Sequence, residues 1–117
     1  PAFLIRPEGA PPARGWPALV WIHGGPEAQA LPGWRPDLQA ICALGVAVLV
    51  PNVRGSTGYG RGYAALDDRE LRMDAVRDVA SAHAWLAARP DIDATRIAAM
   101  GQSYGGWMTL MAATHHP

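Results

Sequence analysis

The sequence contains one cysteine, no lysine and no excess of charge of either sign. The single cysteine, Cys42, excludes an intramolecular disulfide bond and a cysteine metal cluster. Ten arginines balance ten acidic residues, and a formal net charge of zero argues against a nucleic-acid or membrane-surface partner. No apolar run is long enough to span a membrane and no signal peptide is visible, so we expect a cytoplasmic protein.

The composition is that of a globular domain. Half of the 117 residues are hydrophobic and only 17% are charged, which suits one small domain with a modest core. Cys42 falls within an apolar helical stretch, where a buried, unreactive thiol is the expected state. The sequence offers no credible cluster of metal ligands, and we expect neither a metal nor another cofactor.

Apolar runs typical of buried strands alternate with stretches typical of helices. Strands are predicted at residues 2–5, 18–22, 46–50 and 97–100, and helices at residues 36–45, 68–89 and 107–116. This order predicts an α/β fold with a mostly parallel sheet and helices on both faces.

The longest predicted helix, at residues 68–89, has the clearest pattern. One apolar stripe marks its buried face and consists of Leu71, Ala75, Val79, Ala82 and Leu86. Pro90 ends the helix, and residues 91–95 are predicted to form a turn before the last strand.

Glycine-rich segments follow three of the predicted strands, at residues 23–26, 52–63 and 101–106. Ligands of parallel sheets bind beyond the carboxyl ends of the strands. The three segments are therefore expected to converge at one edge of the sheet and to form a site there.

The segment 101–106, G-Q-S-Y-G-G, fits the G-x-S-x-G pattern of a nucleophile elbow. The apolar run before it and the helical run after it place Ser103 at a sharp bend, with its hydroxyl exposed above the sheet. Gly101 and Gly105 permit that tight backbone. We predict that Ser103 is a catalytic nucleophile; the alternative is an ordinary glycine-rich turn with a surface serine.

A serine that attacks a carbonyl produces an oxyanion, which two backbone N–H groups can stabilise. In this architecture one donor is the residue after the nucleophile, here Tyr104, and the other lies in the loop after an earlier strand. We choose Gly25 as the second donor, with Gly24 permitting close approach of the backbone to a substrate. The alternative for this glycine pair is a plain turn that ends a strand.

Together, H-G-G-P at 23–26, N-V-R-G-S-T-G-Y-G at 52–60 and G-Q-S-Y-G-G at 101–106 resemble the catalytic domain of the prolyl oligopeptidase family. The acylaminoacyl-peptidase and dipeptidyl-peptidase-like branch is the most similar. The resemblance implies a partial α/β-hydrolase fold, with residues 1–117 as the N-terminal portion of that domain, truncated after the nucleophile helix. It also implies a serine peptidase that cleaves short peptides through an acyl-enzyme on Ser103. An upstream β-propeller domain is implied in the parent protein, whose oligomeric state stays open.

The acid and the histidine of an α/β-hydrolase triad follow the serine in the chain, but only 14 residues follow Ser103. His115 and His116 lie roughly 18 Å along the helix that begins at the elbow, too far to reach its hydroxyl. The chain is therefore expected to lack the triad Asp and His, and to have little or no peptidase activity by itself.

Three further residues are predicted to line the substrate pocket or to fix its loops: His23, Arg54 and Tyr59. We interpret His23 as orienting its loop rather than as a general base. For Arg54 we prefer an ion pair with Asp74 or Asp78 over a contact with a substrate carbonyl.

Two other functions remain compatible with the sequence. A carboxylesterase would use the same elbow and oxyanion loop. A non-catalytic interaction module would keep the fold without the chemistry.

Overall fold

The computed structural model describes residues 1–116, which form a four-stranded sheet flanked by helices. Two 3₁₀ turns, Ala65–Asp67 and Arg69–Leu71, lie between the second and third helices. Within the described residues no helix is both long and apolar enough to cross a membrane. The strands and helices, in chain order, are β1 (Ala2–Ile5), β2 (Trp16–Ile22), α1 (Pro36–Ala43), β3 (Ala47–Pro51), α2 (Arg61–Ala64), α3 (Arg72–Ala87), β4 (Ile92–Gly101) and α4 (Tyr104–His115).

The sheet has the strand order β1-β3-β2-β4. Strand β2 is central and runs parallel to both neighbours, with Val20 opposite Leu49 on β3 and Ala99 on β4. Strand β1 is antiparallel to β3. The mostly parallel sheet predicted from the sequence is confirmed. The carboxyl ends of β2, β3 and β4 share one edge, where the three glycine-rich segments begin.

The sheet separates two apolar clusters because successive side chains of a strand point to opposite faces. On one face, Val20 and Ile22 pack with residues of α3 and α4. This cluster includes the fully buried Leu86 of α3 and Met108 of α4. The other face holds a smaller cluster with α1, which consists of Trp21, Leu38, Cys42, Val48 and Val50. Helices on both faces and a buried Cys42 are thus confirmed, and burial raises the pKa of the Cys42 thiol.

The prediction that residues 91–95 form a turn before the last strand is wrong, because β4 already begins at Ile92. Ile92 pairs with Trp16, and pairing with β2 resumes only at Ile97 after a shift in register. Between these points Asp93 Oδ1 accepts hydrogen bonds from the Thr95 N–H at 3.0 Å and the Thr95 hydroxyl at 2.7 Å. The turn chemistry is present, but it produces a bulge within the strand.

Helix α3 begins at Arg72, so the prediction of a start near residue 68 is wrong. Leu71 lies outside the helix and is 43% exposed, whereas the other four residues of its predicted stripe are buried. The preceding Arg69 has a φ of 49°, in the left-handed region, which interrupts helical geometry. The predicted loop at 52–63 also ends early, because α2 begins at Arg61.

Helix α4 begins at Tyr104, three residues before the predicted start at 107. The glycines of the elbow, which are poor helix formers, conceal this first turn in the sequence.

Strand β4 is an edge strand with a free row of backbone groups. Ala98 and Met100 are exposed on it, and Met100 is 47% accessible. We predict that the 117-residue chain self-associates through this edge, and that Met100→Lys shifts sedimentation toward the monomer by adding a charge to it.

Leu44→Lys is the matched control for this measurement, since Leu44 is 82% exposed but follows α1 on the other side of the sheet. Equal effects of the two substitutions on the sedimentation coefficient would contradict an association through β4.

The bulge in β4 predicts a dependence of stability on acid. Hydrogen bonds from Thr95, then from Arg96, lower the pKa of Asp93 from 3.8 to about 2. A carboxylate whose pKa is depressed by folding stabilises the fold fully above its unfolded pKa, and this contribution is lost as pH falls through the folded pKa. We expect the free energy of unfolding of Asp93→Asn to fall less than that of the wild type between about pH 4 and pH 2.

Urea unfolding across this pH range measures the effect, with Asp68→Asn as the control because Asp68 is an exposed carboxylate. An unchanged acid dependence in Asp93→Asn would show that the bulge does not hold the ionised carboxylate.

Candidate active site

Ser103 occupies the bend between β4 and α4 in a conformation that serine rarely adopts. Its φ is 55° and its ψ is −119°, outside the helical region. Such a backbone costs on the order of 1–3 kcal/mol and persists only where the surrounding structure imposes it. The Ser103 side chain is exposed and does not cap α4, so its hydroxyl is accessible to a substrate.

Two glycines allow the first turn of α4 to lie against the end of the sheet. A Cβ on Gly105 would stand 2.7 Å from the carbonyl oxygen of His23 and even closer to that of Ile22. A Cβ on Gly101 would stand 2.8 Å from the Cα of Gly105. Real Cβ contacts are longer than this, so the bend requires glycine at both positions.

The loop after β2 contacts the bend directly. A Cβ on Gly24 would lie 3.4 Å from the Cβ of Ser103 and 3.2 Å from the carbonyl oxygen of Gln102. The next residue, Gly25, has a φ of 140°, which an L side chain would disfavour. The predicted nucleophile and the predicted oxyanion loop therefore lie side by side.

Both predicted donors are free of backbone partners within the described part of the chain. The Tyr104 N–H belongs to the first turn of α4, where no preceding helical carbonyl exists to accept it. No backbone hydrogen bond outside the helices and strands of residues 1–116 uses the N–H of Tyr104 or of Gly25. The arrangement thus offers two unoccupied N–H groups on adjacent segments.

His23 is buried and both of its ring nitrogens are occupied. Nδ1 lies 2.6 Å from the Gly24 carbonyl oxygen and Nε2 lies 2.9 Å from Ser56 Oγ. Because a carbonyl only accepts, Nδ1 donates to it, and Nε2 accepts from the Ser56 hydroxyl. His23 is therefore positioned to orient the loop and has no free nitrogen to act as a base for Ser103.

Asn52, which sequence reasoning missed, joins the two loops beside the elbow. Its side-chain amide accepts from the Ala30 N–H at 2.7 Å and donates to the Ala30 carbonyl at 2.9 Å. A further bond runs from the Thr57 N–H to the Ala28 carbonyl at 2.9 Å. The sequence signal that could have identified Asn52 is its position as a polar residue directly after a buried strand. The bond between Ser56 and His23 was likewise not predicted from the sequence.

Tyr59 and Tyr63 complete this loop packing. The Tyr59 hydroxyl accepts from Asn52 Nδ2 at 2.8 Å, and the Tyr63 hydroxyl donates to the Asn52 carbonyl at 2.7 Å. Their rings meet edge to face with centroids 5.3 Å apart. Burial raises the pKa of Tyr63, which keeps its hydroxyl protonated as a donor. Tyr59 is 41% exposed, so its ring remains accessible from solvent.

Arg54 forms an ion pair with α3. Its Nη2 and Nε donate to Asp78 at 2.7 Å and 3.0 Å, and its backbone N–H also donates to Asp78 at 2.8 Å. Asp74 is more distant, at 4.0 Å. The bond to Asp78 raises the pKa of Arg54 further. The guanidinium is thus engaged in fixing the glycine-rich loop to α3.

The described residues bring no imidazole to Ser103. His23 is engaged as above, His83 is exposed in the middle of α3, His115 lies in the last turn of α4, and His116 follows it at the end of that helix. The base and the acid of a triad are therefore not found within residues 1–116.

A sequence profile of the prolyl oligopeptidase family matches residues 33–117. The chain is 32% identical over 116 residues to the acylamino-acid-releasing enzyme of Mus musculus. The aligned region covers 99% of this chain and 16% of that enzyme. It is 34% identical over 101 residues to dipeptidyl aminopeptidase BIII of Pseudoxanthomonas mexicana, and this aligned region covers 86% of this chain and 15% of that enzyme.

Two solved structures share the fold. A puromycin-hydrolyzing peptidase of Mycobacterium tuberculosis superposes with a TM-score of 0.90 at 33% identity, over 97% of this chain and 18% of that one. An acylaminoacyl peptidase of Pyrococcus horikoshii superposes with a TM-score of 0.87 at 27% identity, over 99% of this chain and 19% of that one. The partial α/β-hydrolase fold is confirmed, and the chain spans less than a fifth of each protein.

The elbow packing predicts unequal costs for two glycine substitutions. Gly105→Ala would place a methyl group against the carbonyls at the end of β2, so we expect it to lower the free energy of unfolding by about 1–3 kcal/mol or more. The measurement is urea denaturation followed by circular dichroism.

Gly62→Ala is the matched control, because Gly62 lies in α2 and nothing stands within 4 Å of its added Cβ. A similar loss of stability in both variants would mean that the first turn of α4 is not tightly packed on β2.

Proposed function

The chain belongs to the prolyl oligopeptidase family, and on this premise we propose that it carries the nucleophile and the oxyanion-binding backbone of a serine peptidase. The observation that carries the proposal is the strained bend at Ser103, which lies directly against Gly24. A surface serine in an ordinary turn has no need of positive φ or of a glycine-lined neighbour.

In the proposed reaction, Ser103 Oγ attacks the carbonyl carbon of a peptide bond while a base removes the hydroxyl proton. The carbonyl oxygen becomes an oxyanion that accepts hydrogen bonds from the N–H groups of Tyr104 and Gly25. Collapse of this intermediate breaks the C–N bond, and the amine leaves with the proton from the base. Water then attacks the acyl carbon of the ester while the base takes a proton from it, and collapse of the second intermediate breaks the bond to Ser103 Oγ, which regains the proton from the base as the acid is released.

The backbone donors carry most of the stabilisation that residues 1–116 can supply. Loss of one oxyanion donor in a serine peptidase lowers kcat about 10²- to 10³-fold. The N-terminus of α4 adds a favourable dipole at the same point. We propose that this chain is part of a longer protein, and that the base and its acid are a histidine and an aspartate of that protein outside the described residues.

We propose short peptides as substrates, by analogy with relatives named acylamino-acid-releasing enzyme and dipeptidyl aminopeptidase. A related acylaminoacyl peptidase has been solved in complex with Z-Gly-Gly-Phe-chloromethyl ketone. An N-acetylated amino-acid anilide and a dipeptidyl anilide are therefore the first substrates to test. We further propose that the longer protein has a β-propeller domain upstream of this α/β-hydrolase portion.

The test is hydrolysis of these two anilides by the longer protein that contains this chain. Ser103→Ala is expected to reduce kcat by about 10⁶-fold and to abolish labelling by a fluorophosphonate probe, because the attacking oxygen is lost. The isolated 117-residue chain is expected to show little or no turnover.

Ser81→Ala is the control, since the exposed Ser81 hydroxyl donates to the Arg77 carbonyl within α3, and the substitution should leave kcat unchanged. Full activity or labelling in Ser103→Ala would refute the proposal. Turnover of esters without turnover of anilides would identify a carboxylesterase instead, and a protein without either would be a non-catalytic module.

A further inference from the structure

Asp67 is a buried carboxylate that none of the sequence motifs includes. It ends the 3₁₀ turn Ala65–Asp67 and is only 2% exposed. A buried carboxylate without hydrogen bonds is unfavourable, so the groups around it indicate why it is tolerated. Those groups belong to the two segments that form the candidate active site.

The first of these groups is the hydroxyl of Tyr104, which donates to Asp67 Oδ2 at 2.9 Å. Tyr104 is the residue whose N–H is the proposed oxyanion donor. Its ring is also stacked on Trp107, with centroids 5.3 Å apart, and the Arg72 guanidinium lies 5.4 Å from it. The ring is therefore held by two neighbouring side chains and by the bond at its hydroxyl.

The second segment is the glycine-rich loop at Gly55. A Cβ on Gly55 would collide with the Asp67 carboxyl group, so the carboxylate lies directly beneath this loop. The next residue, Ser56, is the hydrogen-bond partner of His23, which in turn bonds to the Gly24 carbonyl. One carboxylate thus supports the elbow by a hydrogen bond and the opposite loop by close packing.

We propose that Asp67 is a positioning residue for the oxyanion hole, acting through the side chain of Tyr104. This inference rests on the proposed function and deepens it. Asp67 touches neither the substrate nor Ser103 in this reaction. It holds the Tyr104 ring, and the ring holds the direction of the Tyr104 N–H next to a backbone that is strained at Ser103.

The protonation of Tyr104 supports this arrangement. Burial, and then the bond to Asp67, raise the pKa of Tyr104, so its hydroxyl remains a donor throughout the pH range in which the protein is assayed. An acceptor without a negative charge would serve the same geometry. This makes Asp67→Asn an informative substitution, because its amide oxygen can still accept the bond.

The experiment uses the longer protein, with kcat expressed per active site titrated by the fluorophosphonate probe. Tyr104→Phe keeps the ring and removes only the hydroxyl. We expect it to lower kcat about 5- to 10-fold, with KM unchanged within about 2-fold, because the lost bond acts on the oxyanion and not on the bound substrate. Affinity for a peptide aldehyde, which forms a tetrahedral adduct, is expected to fall by the same factor as kcat/KM.

Asp67→Ala is expected to lower kcat at least as much as Tyr104→Phe, because it also removes the packing beneath Gly55, and the double variant is expected to be no slower than Asp67→Ala alone. Asp67→Asn is expected to restore most of kcat. Asp93→Asn is the matched control, because Asp93 is an equally buried carboxylate near the opposite end of β4 and should leave kcat per titrated site unchanged.

Wild-type kcat and aldehyde affinity in both Tyr104→Phe and Asp67→Ala would overturn the inference, as would additive losses in the double variant. If the wild-type protein shows Ser103-dependent turnover and these variants match it, only the positioning role is refuted. If the wild-type protein shows no Ser103-dependent turnover, the proposed function and this inference are both refuted.

Discussion

The site depends on close packing between the first turn of α4 and the carboxyl end of β2. Gly105 rests on the carbonyls of Ile22 and His23 with no room for a side chain. That contact fixes where α4 starts, and it forces the chain between β4 and α4 into the positive φ of Ser103. The same contact brings Gly24 against Ser103, so the nucleophile and the adjacent loop are placed by one backbone constraint.

The loops around this bend are held by polar side chains of residues that directly follow the strands. His23 follows β2 and Asn52 follows β3, and each bonds to a loop other than its own: His23 to Ser56, and Asn52 to Ala30. Arg54 fastens the second loop to Asp78 on α3. Because these bonds are partly or fully shielded from water, they are stronger than exposed ones and limit the freedom of the loops. A pre-ordered oxyanion site requires such restraint.

The sequence was sufficient for the features whose cause is local. The apolar run at residues 46–50 predicted a strand, and the glycines around Ser103 predicted the bend, because each pattern reflects the conformation of its own segment. Leu71 shows the limit, since it matches the helical stripe but lies just after Arg69, whose left-handed backbone no periodicity reveals. Asp93 shows a second limit, where local turn chemistry and strand pairing act on the same residues. Asp67 could not be found, because its partner Tyr104 is 37 residues away and the contact exists only in the folded chain.

The most direct test of the account is a crystal structure of the longer protein after reaction with a fluorophosphonate. We predict that phosphorus is bonded to Ser103 Oγ and that the phosphoryl oxygen lies about 2.7–3.1 Å from the backbone nitrogens of Tyr104 and Gly25. A phosphoryl oxygen directed away from both nitrogens, or an adduct on another residue, would contradict it.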